Sequence, residues 1–231
     1  AGDNNLEHSL AVSANPLNRL RRNLAYLVHY PHGCVEQVTS QSMPLLLLRR
    51  HTDLFKGLLP GNEAGLDAMI KGYIAGGVSK LLAMQTPSGG LGTWPGAGYP
   101  YEYGSIYAAH FLTLVRAENA AEVPEKAFRS LQDYLRQLMN GHGGVDYGYE
   151  RLYTRAYALY VLALDGQLDA VEAIPRFDRI EMPEPGRWLL AAAIAASSRT
   201  LVSAAGSTAA SQIGSKRSQG GRRTKREPNS R

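Results

Sequence analysis

The chain has 231 residues, 44% of them hydrophobic and 19% charged, which is enough apolar material for a sizeable core and too much for a disordered protein. Its longest apolar run, Trp188 to Ala196, falls well short of the roughly 20 residues that cross a bilayer. A single cysteine, Cys34, excludes an intramolecular disulfide and any multi-cysteine metal centre.

The first residues, Ala1-Gly-Asp-Asn-Asn, lack the basic-then-apolar layout of a secretion signal, so such a segment is expected to have been removed or to lie upstream in a longer protein. Residues 1–15 read as a linker. From about Pro16 the chain is helix after helix. Leu17, Leu20, Leu24 and Leu27 recur at three- and four-residue steps and precede a turn at Tyr30-Pro31-His32-Gly33. A new helix begins near Cys34 and carries Pro44, which removes a backbone donor and is expected to kink or shorten it. Glu63 to Gln85 forms the next helix, with Leu66, Met69, Ile70, Tyr73, Ile74, Val78, Leu81 and Leu82 on its apolar face. Further helices are expected at about 104–118, 124–139, 150–165 and 186–198. No stretch alternates with period two, so the fold class is all-α.

Two segments read as copies of one unit. Leu82 to Gly90 leads through an aromatic glycine loop to Ser105-Ile-Tyr107-Ala108, and Leu135 to Gly144 leads similarly to Thr154-Arg-Ala156-Tyr157-Ala158. A period near 50 built of helix, glycine loop and helix marks stacked helical hairpins, each burying its faces against its neighbours. Hairpins closed on themselves give an α/α toroid. About seven helices precede the tail, fewer than a full toroid needs, so an incomplete toroid over residues 16–198 is expected.

The final stretch is different in kind. Residues 197–231 hold eight of the 25 Lys and Arg and one of the 20 acids, which leaves the rest of the chain slightly acidic. Residues 199–231 are Ser- and Gly-rich without helical or strand period and read as a disordered basic tail. Basic runs at chain ends are usually solvated, and this one lacks base-stacking aromatics, so no nucleic-acid partner is expected.

Chemistry is concentrated at Gly33-Cys34-Val35-Glu36-Gln37. In a helix starting here Cys34 and Gln37, three residues apart, lie on one face with Cβ atoms about 5–6 Å apart, so the sulfur reaches the glutamine amide carbon. The helix N-terminus favours negative charge on sulfur and offers free N–H groups to an oxyanion. These are the parts needed for the thiol to attack the Gln37 side chain, expel ammonia and leave an internal thioester. Gly33 permits a tight turn into the helix, and Glu36, directed elsewhere, complements the helix dipole.

The run Tyr30-Pro-His-Gly-Cys34-Val-Glu-Gln37 resembles the thioester motif of the alpha-2-macroglobulin and complement family, and most closely its bacterial members. Its four fixed identities, Gly33, Cys34, Glu36 and Gln37, would arise by chance in on the order of one in a thousand chains of this length. The similarity extends over most of residues 16–196. It implies an α/α toroid and a single-use protease trap. In that family bait cleavage elsewhere exposes the thioester, and the Gln37 acyl group passes to a lysine of the attacking protease as Cys34 leaves. No cofactor or metal is implied. Aromatic shields against water are expected among Tyr26, Tyr30, Trp94, Tyr99, Tyr101 and Tyr103. Amine acceptors are expected over hydroxyls, because no histidine falls within Asp146 to Arg151, where hydroxyl-acylating relatives carry one; His142 reads as a polar loop residue and His110 as a packed or rim one. The resemblance further implies target proteases and other domains of a longer macroglobulin as partners, a periplasmic or extracellular location, and membrane attachment only through a distant lipid.

Two rivals share parts of this pattern. Toroid enzymes such as terpene cyclases and prenyltransferases need clustered carboxylates, and the chain has neither an Asp-Asp pair nor Asp-x-Asp spacing. A cysteine hydrolase using Cys34 would have no need of a glutamine on the same helix face.

Overall fold

The computed structural model describes residues 33–50, 63–141, 149–177 and 182–198. Within them the chain is all-α. The helices are α1 (Val35–Arg50), α2 (Glu63–Leu82), α3 (Glu102–Ala117), α4 (Glu125–Met139), α5 (Tyr149–Leu164), the short α6 (Ala170–Ala173) with a 3-10 turn at Ile174–Arg176, and α7 at 184–198. The expected helix positions agree with these to within three residues. The helix around Leu17 to Leu27, the 1–15 linker, the second glycine loop's Gly143 and Gly144 and the 199–231 tail lie outside the described residues.

The chain divides into two compact units, Ala1–Leu131 and Gln132–Arg231. In the first unit α1 packs against α2 and α3. Buried positions on α1, Val35, Val38, Thr39, Ser42, Leu45, Leu46 and Leu48, follow the three- and four-residue steps of one helix face. Ile70, Ile74, Val78 and Leu81 do the same on α2. On α3 the buried set Ser105, Ile106, Ala108, Ala109, Phe111, Leu112, Thr113 and Val115 leaves almost no polar stripe, as expected of a helix enclosed by its neighbours. Full burial of one Leu, Ile or Phe among these contributes about 1.5–3 kcal/mol.

Pro44 does not shorten α1. The helix continues for 16 residues, from Val35 to Arg50, with proline inside it. The missing backbone bond is outweighed by the burial of Leu45, Leu46 and Leu48 directly after it, since packing of an apolar face supplies most helix stability in proteins. At the far end of α1, Arg50 pairs with Glu118 at 2.7 Å and Arg49 donates to the Glu118 carbonyl at 3.1 Å, fastening it to the end of α3.

Small residues set the helix spacing. A Cβ on Gly77 of α2 would collide with the Ser42 side chain of α1, so glycine lets these two backbones approach closely. Gly89, with φ +92°, sits in left-handed backbone, and a Cβ there would strike the Ser130 carbonyl oxygen.

In the second unit Leu135, Leu138, Ala156, Leu159, Leu162, Ala170 and Phe177 are buried. Arg155 donates to the Met139 carbonyl at 2.9 Å and lies over the Phe177 ring, 5.1 Å from its centre. Ser197 of α7 accepts from the Ala170 N–H at 3.0 Å. The sequence pattern missed α6 because its four residues span a single turn. Its signal was Asp169, whose carboxylate caps the Val171 N–H at 2.8 Å.

Candidate functional site

The site is built at the start of α1. Val38 N–H donates to the Cys34 carbonyl at 2.9 Å, which closes the first helical turn and makes Cys34 the N-cap residue, with Val35, Glu36 and Gln37 following as the first three helical positions. Cys34 N–H in turn donates to Gln37 Oε1 at 3.0 Å. This is one half of a capping box, in which the third helical residue reaches back to the N-cap amide. Position, therefore, and not only a shared helix face, brings the two residues together. The N-cap side chain is here a half-buried thiol, a weak acceptor, where helices ordinarily place a hydroxyl or carboxylate.

The bond has chemical as well as structural content. An N–H on Gln37 Oε1 draws electrons from the amide carbon and stands where negative charge would gather if a nucleophile added there. The same residue supplies that N–H and the thiol.

Gly33 gives the chain room to enter α1, because a Cβ there would lie 2.8 Å from Val38 Cγ2.

Around the site runs the glycine-rich loop between α2 and α3. Gln85 and Leu91 form an isolated antiparallel bridge, Gly92 N–H donates to the Met84 carbonyl at 2.9 Å, and Tyr101 N–H donates to the Leu91 carbonyl at 2.7 Å. Buried Ser105 accepts from Leu91 N–H at 2.8 Å, and its hydroxyl lies 2.7 Å from the Tyr101 carbonyl, so one side chain ties the loop to the first turn of α3. The loop reaches the site at two points. Thr93 carbonyl accepts from Val35 N–H at 3.1 Å, satisfying an otherwise orphan amide of α1. Tyr101 O–H donates to Glu36 Oε1 at 3.1 Å. Gly104 makes this approach feasible: a Cβ on it would collide with the Val35 side chain and press on the Tyr101 ring.

Tyr101 holds its proton more tightly than an ordinary tyrosine, first because burial disfavours the phenolate and then because the Glu36 carboxylate, Tyr103 and Cys34 oppose a second negative charge. His110, half-buried on α3, is pushed down by desolvation.

Of the expected shields, Tyr101 is at the site. Trp94 and Tyr99, in the loop beside it, are 50% and 87% exposed. Tyr103 stacks with Tyr107, whose O–H lies 3.3 Å from Ser40 of α1. Tyr26, Tyr30 and His142 lie outside the described residues. The Tyr101–Glu36 bond and the Thr93–Val35 bond were not foreseen, since nothing in a linear pattern links positions about 60 apart. Among the described residues no group of three or more His, Cys, Asp or Glu is placed to hold a metal, and no helix is long and apolar enough to cross a membrane.

No family model matches the chain. It is 25% identical over 190 residues to an alpha-2-macroglobulin homolog of Yersinia pestis, covering 80% of this chain and 9% of that protein. It is 28% identical over 165 residues to alpha-2-macroglobulin of Escherichia coli K12, covering 68% of this chain and 10% of that protein. Its backbone also superposes on Salmonella alpha-2-macroglobulin reacted with methylamine, with a TM-score of 0.65 and 26% identity over 79% of this chain and 12% of that one. The chain is similar in sequence and backbone to the bacterial alpha-2-macroglobulins. It spans about a tenth of the length of these relatives.

Proposed function

We propose that the chain is the thioester-bearing part of a protease-trapping macroglobulin, an α/α toroid whose Cys34 and Gln37 side chains join and later acylate a captured protease. The observation that carries this reading is the 3.0 Å bond from Cys34 N–H to Gln37 Oε1 at the first turn of α1.

The chemistry follows in two balanced steps. Cys34 Sγ adds to Gln37 Cδ, the oxyanion on Oε1 is held by Cys34 N–H, and the C–N bond breaks to release ammonia carrying the thiol proton. The product is a thioester. A primary amine then attacks the same carbon, a C–N bond forms, the C–S bond breaks, and the proton shed by the amine returns to Cys34 as a free thiol. Each molecule acts once, because neither step regenerates the thioester. The methylamine-reacted state of the Salmonella relative supports an amine as acceptor, and a lysine side chain is the amine a protease surface offers. The trigger, bait cleavage in another domain, and a periplasmic or extracellular location with attachment through a distant lipid belong to the same proposal.

Incubation with a biotin-labelled primary amine tests it. The expected result is one label per chain, at Gln37, with one thiol appearing for each label; a Cys34→Ala chain takes up none. Labelling of Cys34→Ala equal to wild type would overturn the reading.

A further inference from the structure

Glu36 is the charged residue of the motif, and neither step above uses it. It sits between Cys34 and Gln37 in sequence, in the first turn of α1, where a carboxylate is favoured by the helix dipole. Among the described residues no lysine or arginine pairs with it, and its one described polar partner is the Tyr101 phenol, 65 residues away. That bond is anchored at both ends. Tyr101 is the N-cap of α3, its backbone N–H is fixed to Leu91 and its carbonyl to Ser105. Val35, next to Glu36, is fixed to Thr93. A neutral donor leaves the carboxylate its full charge, unlike a cationic partner, which would cancel it. The result is a held negative charge with no cationic partner among the described residues, on the residue next to Gln37 in the first turn of α1.

We infer that Glu36 selects cationic amines for the thioester, by attracting an ammonium group to the acyl carbon before it loses its proton to solvent and attacks, and that Tyr101 positions this carboxylate. The inference rests on the thioester reading and adds to it the charge class of the acceptor and the residues that choose it. A lysine side chain, cationic at neutral pH, is the acceptor such a charge favours over a neutral hydroxyl. A single exposed charge within a few ångströms raises the local concentration of a monovalent cation about fivefold, and salt screens the effect.

The test compares two small nucleophiles on the full chain at neutral pH: methylamine, which is cationic, and hydroxylamine, which is not. Thiol release gives the rate with each. Wild type is expected to show a methylamine-to-hydroxylamine ratio that falls as salt is raised. Glu36→Gln, which keeps an acceptor for the phenol but no charge, is expected to lower that ratio about fivefold and to abolish its salt dependence. Tyr101→Phe, which keeps the charge but frees the carboxylate, is expected to fall between. Thioester present in all three chains with equal ratios and equal salt slopes overturns this inference and leaves the thioester reading intact. A variant that holds no thioester while wild type does also overturns it, because the pair would then build the bond and not choose its acceptor. A wild-type chain that never releases a thiol to either nucleophile overturns both.

Discussion

The backbone N–H of Val35 donates to the carbonyl of Thr93 at 3.1 Å, so the first amide of α1 is satisfied by the loop that precedes α3 and not by its own helix. Helix start and loop are therefore one structural piece, and disturbing either should disturb Cys34 and Gln37.

Gly104 tests that coupling. Alanine there would meet Val35 and Tyr101 from α3. Gly104→Ala is expected to destabilise the chain by about 1–3 kcal/mol through overpacking, and to slow thioester formation, read as the fraction of blocked thiol in freshly folded protein. Unchanged stability and a fully blocked thiol would show that the contact is dispensable.

Gly77→Ala provides the comparison away from the site. Its Cβ would collide with Ser42 across the α1–α2 contact, so a loss of about 1–3 kcal/mol is expected in denaturant unfolding. Gly76, one residue earlier, has open space at its Cβ position. Gly76→Ala should instead stabilise by roughly 0.5–1 kcal/mol through helix propensity. Equal effects at the two positions would contradict the packing described.

The capping geometry separates stability from chemistry. Serine is a better N-cap than cysteine, so Cys34→Ser should stabilise α1 by roughly 0.5–1 kcal/mol relative to the amine-opened wild type while forming no thioester. Gln37→Glu keeps an oxygen for Cys34 N–H and should retain the wild-type melting temperature of the opened chain, yet it too should form no thioester, since a carboxylate is a poor acyl donor. Both outcomes are read by thermal unfolding alongside thiol titration. A Gln37→Glu chain that unfolds early would place the worth of Gln37 outside this hydrogen bond.

Tyr101 sets an alkaline limit. Its phenol is the protonated, neutral partner of the Glu36 carboxylate, and its folded-state pKa is raised above the ordinary 10.0 by burial first and by Glu36 next. A raised value means the contribution of the bond is fully present below the unfolded-state pKa and is lost as pH climbs through the higher folded value. The difference in absorbance between wild type and Tyr101→Phe during alkaline titration should show a phenol ionising above the ordinary tyrosine value. Ionisation of that phenol at or before the ordinary value would contradict the contact.

Much of this was legible in the residues. Helical periodicity located α2 to α5 and α7 because their apolar stripes, such as Ile70, Ile74, Val78 and Leu81, repeat at a period that only a helix satisfies. Cys34 and Gln37 were legible as a pair because their separation is local. The nature of the contact was less so: periodicity says that the two share a face, whereas the structure makes Cys34 the N-cap and gives its amide to Gln37. The shortening expected at Pro44 did not occur, since a local rule about a missing donor carries no knowledge of the leucines packed after it. Tyr101 stood among six aromatic candidates with nothing local to single it out; its partner Glu36 becomes a neighbour only once the loop is fastened by Leu91 and Ser105.

The covalent bond between Cys34 and Gln37 can be read from the intact mass of the freshly purified chain before and after methylamine. The expected result is a mass lower than the sequence by one ammonia, a thiol that resists titration, and on treatment a gain of one methylamine with one thiol set free, mapped to the peptide containing Gln37. A mass equal to that of the unmodified sequence, with Cys34 titrating freely and no methylamine taken up, would contradict it.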